Sequence, residues 1–112
     1  MRIKFTPVNI EYFNKERPAE KNDKLPVETQ GGDFTLRFDH SHFQLYVDPY
    51  PLVSVGACFQ VRGDQLLVSD PSLKVNDKSV RGKGAVEIKD GDIIGIPTWV
   101  SYVNYRVDLL AA

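Results

Sequence analysis

The chain has 112 residues, of which 42% are hydrophobic, 26% charged and 11% aromatic. Two separate cores would need about 50 residues or more each, and a disordered chain would be poorer in apolar side chains. The composition therefore indicates one globular domain, residues 1–112, and excludes repeat arrays, collagen-like chains and coiled coils. Fourteen basic residues against fifteen acidic ones leave a formal charge of -1, so no global field draws in nucleic acid or anionic lipid, and such binding would need a local patch.

In chain order, Arg2 to Phe13 alternates imperfectly and is interrupted by Pro7, which predicts a strand that lies at an edge or bends there. Residues 14–26 carry Lys15, Glu16, Arg17, Pro18, Glu20, Lys21, Asp23 and Lys24 with hardly an apolar side chain, a pattern expected for a charged, solvated loop. Thereafter apolar residues recur at spacing two, the period of strands with one dry and one wet face. Phe34, Leu36 and Phe38 make one such face, Phe43, Leu45 and Val47 a second, and Val53, Val55, Ala57, Phe59 and Val61 a third. Arg62-Gly63-Asp64-Gln65 reads as a hairpin turn, with Leu66 to Ser69 returning before Asp70-Pro71 closes the run. Short strands are predicted over 73–75, 85–88 and 93–96, the last two separated by a tight Asp90-Gly91-Asp92 turn. A final strand presents Val103, Tyr105, Val107 and Leu109 inward. The expected class is all-β, a small sandwich or partly open barrel of about eight to ten short strands, with Trp99 in or beside its core.

A single cysteine, Cys58, cannot close an intrachain disulfide and is too little for a cysteine zinc site, so it reads as a small buried side chain. The N-terminal residues contain no continuous apolar run, and nothing approaches the roughly 18 apolar residues of a membrane-spanning helix. A soluble, cytoplasmic protein without membrane contact is expected.

Three fragments carry chemistry. His40 and His42, at spacing two on one strand, project to the same face as Asp48 and are candidate metal ligands. Together with Gly91-Asp92-Ile93-Ile94-Gly95-Ile96-Pro97, His40-Ser41-His42 resembles the two motifs of the cupin barrels, although Tyr102 stands where that pattern has a later histidine. This resemblance implies a metal-dependent enzyme or a small-molecule binder.

The second set of fragments is Val53-Ser54-Val55-Gly56-Ala57-Cys58, Leu67-Val68-Ser69-Asp70, Val75-Asn76-Asp77-Lys78-Ser79-Val80 and Val86 to Ile96. In their order and much of their spacing they resemble the forkhead-associated domain, a β-sandwich that recognises phosphothreonine peptides, from about Leu45 to Asp108. Of the family's phosphate-contacting positions only Ser54 matches. No Gly-Arg pair precedes it, and the stretch from Asp70 to Val75 is too short for the family's recognition loop. The resemblance therefore implies a scaffold that binds another protein, with phosphothreonine recognition lost.

The third fragment is the run Lys74, Lys78, Arg81 and Lys83, four cations within ten residues beside Gly82 and Gly84. Such a loop meets phosphates without a large desolvation cost, so nucleic-acid binding through residues 74–83 is an alternative. No complete set of nucleophile, base and oxyanion donors is assembled. The leading expectation is a non-enzymatic interaction module without a cofactor, of the accessory or assembly type found in small viral or bacterial systems, either monomeric or oligomeric.

Overall fold

In a computed structural model, which describes residues 2–12, 15–18, 27–30, 32–39, 44–48, 57–69, 72–98 and 101–110, the period-two segments are strands. Twelve are present among the described residues, with no helix: β1 (Arg2–Tyr12), β2 (Lys15–Pro18), β3 (Val27–Gln30), β4 (Phe34–Asp39), β5 (Gln44–Asp48), β6 (Ala57–Arg62), β7 (Gln65–Ser69), β8 (Lys74–Val75), β9 (Lys78–Ser79), β10 (Val86–Ile88), β11 (Ile93–Pro97) and β12 (Ser101–Leu110). Among the described residues no helix is long and apolar enough to cross a membrane.

Every pairing is antiparallel. One sheet has seven strands in the order β2-β1-β12-β11-β8-β9, with β3 also on β1; the other has five in the order β10-β7-β6-β4-β5. Both sheets keep open ends, so the architecture is a two-layer, sandwich-like fold and not a closed barrel.

The strand count exceeds the expected number because β2, β3 and β9 form where the sequence offers little apolar alternation. Lys15–Pro18 falls inside the stretch read as a charged loop, yet it pairs with Asn9–Tyr12 of β1. A sheet edge supplies backbone donors and acceptors to any extended neighbour, so pairing here needs no apolar face. Residues 19–26 of that stretch lie outside the described residues.

β1 is an interior strand, which leaves the second of the two expectations for it, a bend at Pro7. β12 flanks one side along its whole length, while β3 covers Arg2–Phe5 and β2 covers Asn9–Tyr12 on the other. Pro7, which has no N–H to donate, falls in the interval between those two partners. The predicted bend is present. Pro7 pairs with Tyr105 and Asn9 with Asn104, so Val8 is an extra residue, a β-bulge. The bulge reverses the parity of β1. Ile3 and Phe5 are buried before it and Ile10 after it, whereas Asn9 and Glu11 take the outer face and Val8 is exposed.

The core lies between the sheets. Phe5 comes from β1, while Phe34 and Phe59 are cross-strand partners on β4 and β6. Phe34 and Phe59 stack with centroids 5.0 Å apart and an interplanar angle of 2°; Phe5 meets both edge-on at 6.1 and 6.0 Å. This trio joins the layers, as aromatic quadrupoles favour. Leu36, Leu45, Leu66, Val68, Ile88, Ile94, Val103, Tyr105 and Val107 are among the residues buried around it.

Where the β4–β6 backbone pairing ends, a side chain extends it. The Asp33 carboxylate accepts from the Val61 N–H at 3.1 Å and from Arg62 Nη1 at 2.9 Å. The Arg62 guanidinium, and after it the Val61 N–H, hold this carboxyl below the ordinary aspartate range against an opposing effect of burial. A depressed native pKa stabilises the fold above the unfolded-state value and stops doing so as pH falls through the native value. Asp33→Asn is therefore expected to lower stability at neutral pH, with the deficit against wild type shrinking below about pH 4. Urea unfolding over a pH series measures it; a deficit that stays constant into acid would contradict the assignment.

Candidate functional site: a cationic hairpin latched to the sheet

The run from Lys74 to Lys83 is a hairpin. Asn76 and Asp77 have φ of 50° and 67°, the pair of left-handed residues that a two-residue type I′ turn requires and that Asn and Asp tolerate best among residues with a Cβ. The hairpin is tied to the β10–β11 turn through Asn76. Its N–H donates to Ile93 O at 2.7 Å, its Nδ2 to Asp92 Oδ1 at 3.0 Å, and its Oδ1 accepts from the Ile93 N–H at 3.0 Å. Asp92 in turn accepts from the Lys89 N–H at 2.8 Å. Gly91 N–H donates to Val107 O, and Leu109 N–H donates to Asp90 Oδ1, both at 2.8 Å. The tight turn at Asp90-Gly91-Asp92 thus carries the chain from one sheet to the other and docks on β12.

Beyond β9 the chain turns again. Val80 is buried and its N–H donates to Leu73 O at 3.3 Å; Lys83 N–H donates back to Val80 O at 3.1 Å. Gly82, at φ 75°, occupies the third position of this turn, the left-handed position of type II geometry. Arg81 N–H donates to Ser79 Oγ at 3.2 Å.

The four cations separate into two groups. Lys78, Arg81 and Lys83 are exposed, and none makes an ion pair with a described residue. Lys74 is half-buried and lies across the sheet. Its Nζ sits 4.0 Å from the centroid of the Tyr102 ring and 3.8 Å from Asp77 Oδ1. Gly95 permits this, because a Cβ there would meet Asn104 Oδ1 at 2.8 Å and both Lys74 Cβ and Tyr102 Cδ1 at 3.4 Å.

Asn104 belongs to a polar seam that sequence reading missed. On the outer face of the seven-stranded sheet its Nδ2 donates to Asn9 Oδ1 at 2.6 Å and to Glu11 Oε1 at 2.5 Å. Beyond the bulge at Val8, Asn9 and Glu11 lie on this face. The available sequence signal was the switch of apolar positions from odd to even within β1. Gly95→Ala should force the buried Asn104 amide to move and cost about 1–3 kcal/mol. Thermal unfolding reads it, and an unchanged midpoint would show that the seam has room to spare.

Of the other predicted site residues, Asp48 lies on β5. Asp48 accepts from Arg37 Nε at 3.1 Å, and that guanidinium lies 4.7 Å from the Tyr46 centroid. His40, His42, Ser54 and Trp99 lie outside the described residues. Among the described residues no three His, Cys, Asp or Glu side chains converge as metal ligands. Cys58 is half-buried, between Thr35 and Ser69 in the sheet register.

The chain matches no family model, no curated protein and no solved structure.

Proposed function

We propose that this domain is a non-enzymatic protein-interaction module that engages its partner through the β8–β9 hairpin and the turn that follows it. The observation that carries this reading is that Lys78, Arg81 and Lys83 are exposed, without a counter-charge among the described residues, on a segment whose backbone is held by hydrogen bonds. Charged side chains on an otherwise self-satisfied surface favour recognition of a complementary macromolecule. The forkhead-associated and cupin resemblances remain proposals whose residues, Ser54, His40 and His42, lie outside the described residues, and the nucleic-acid alternative shares the same three cations.

The test is affinity capture from native lysate with wild type and with Lys78→Gln/Arg81→Gln/Lys83→Gln in parallel, each with and without nuclease. Capture of a protein by wild type, resistant to nuclease and lost in the variant, supports the reading. Capture that the variant retains, or that nuclease abolishes, contradicts it.

A further inference from the structure

We infer that the partner segment is an acidic polypeptide, and that Asn76 is a positioning residue that holds the cationic hairpin ready for it. This rests on the interaction-module reading and goes beyond it, by naming the chemistry of the partner and the residue that sets the geometry.

Three observations favour carboxylates over a nucleic-acid backbone. The chain carries a formal charge of -1, so there is no long-range field to concentrate a long polyanionic backbone, and the local cations can match only a short acidic segment. Binding a single strand calls for aromatic platforms beside the cations, whereas residues 72–92 carry no aromatic side chain and the nearby Tyr102 ring is already faced by Lys74 Nζ at 4.0 Å. Acidic residues are interleaved with the cations along the chain, Asp77 within the hairpin and Glu87 and Asp90 after it, all exposed. They would repel a continuous phosphate track more than they would a short peptide whose carboxylates meet only Lys78, Arg81 and Lys83.

The positioning role follows from the latch. Three long cationic side chains lose conformational entropy on binding, and a fixed backbone limits the further loss. The Asn76 side chain makes two of the hydrogen bonds that fix it, one to Asp92 and one to the Ile93 N–H, and carries no charge. Asn76→Gly keeps a residue suited to positive φ and removes only the side-chain latch.

A short polyglutamate peptide titrated into isotopically labelled full-length protein, followed by amide chemical shifts, tests this. Wild type should show shifts centred on Lys78, Arg81 and Lys83 that weaken as salt is added. Lys78→Gln/Arg81→Gln/Lys83→Gln should bind roughly tenfold more weakly. Asn76→Gly should bind roughly threefold more weakly with an unchanged dependence on salt, because the number of charges is unaltered. If Asn76→Gly binds like wild type while the triple variant does not, the positioning role fails and the interaction site stands. If wild type shows no shifts at low salt, or a single-stranded oligonucleotide of matched charge binds more tightly than the peptide, the acidic-polypeptide assignment fails. A spectrum of each variant without peptide separates loss of binding from loss of fold.

Discussion

Phe59→Ala is expected to cost about 3–5 kcal/mol, a large share of the roughly 5–15 kcal/mol that holds a domain of this kind together. Phe59 is fully buried, stacked on Phe34 within its own sheet and edge-on to Phe5 of the other. Truncation would leave a cavity between two pleated layers that cannot slide together, because strand pairing on both sides fixes their backbones. Denaturant unfolding should show a much lower midpoint with little change in slope, and Phe59→Leu should fall between wild type and alanine. A loss below about 1 kcal/mol would mean that the trio does not join the layers as described.

Inserting an alanine between Asn9 and Ile10 should be at least as damaging. If β1 keeps its pairing with β12, the added residue turns everything beyond it to the opposite face, since strand orientation has a period of two. Ile10 would turn outward and Glu11 inward. Burying an unpaired carboxylate in an apolar layer costs several kcal/mol or forces its protonation, and the Glu11 bond to Asn104 would be lost as well. Deleting Val8, by contrast, should cost far less. Pro7 and Asn9 then become neighbours opposite Tyr105 and Asn104, the bulge disappears, and Ile10 still faces the core with Asn9 and Glu11 on the outer face. Thermal unfolding compares the two variants; equal losses would show that the facing of residues 9–12 is not what the Val8 bulge preserves.

Much of this fold was legible because half-buried strands announce themselves at spacing two. Phe34, Leu36, Val103, Tyr105 and Val107 all face the core as their alternation requires, and the Gly63-Asp64 turn joins β6 to β7 as its composition suggests. What sequence alone left hidden was non-local. Lys15–Pro18 is a strand because β1 offers an edge, information that no property of its own side chains carries. Pro7 signalled a disturbance but not its form, since an edge strand and a bulge answer equally well to a missing N–H. In the same way Lys74 looked like part of a projecting cationic loop, and only the strand register shows that Gly95 lies beside it, letting it cross to Tyr102. The fragments Val75–Val80 and Asp90–Ile96 stood apart in sequence as separate turns. In the fold Asn76 and Asp92 join them into one unit, and that unit carries Lys78 and leads into the turn that carries Arg81 and Lys83.

The rigidity of that unit can be measured directly by backbone 15N relaxation of the free protein across residues 74–96. Order parameters for Lys78 to Val80 should match those of β11 and fall in Asn76→Gly, while the rest of the sheet is unchanged. Values below about 0.6 over these residues in wild type, the range of a flexible segment, would contradict the account of a hairpin held ready for its partner.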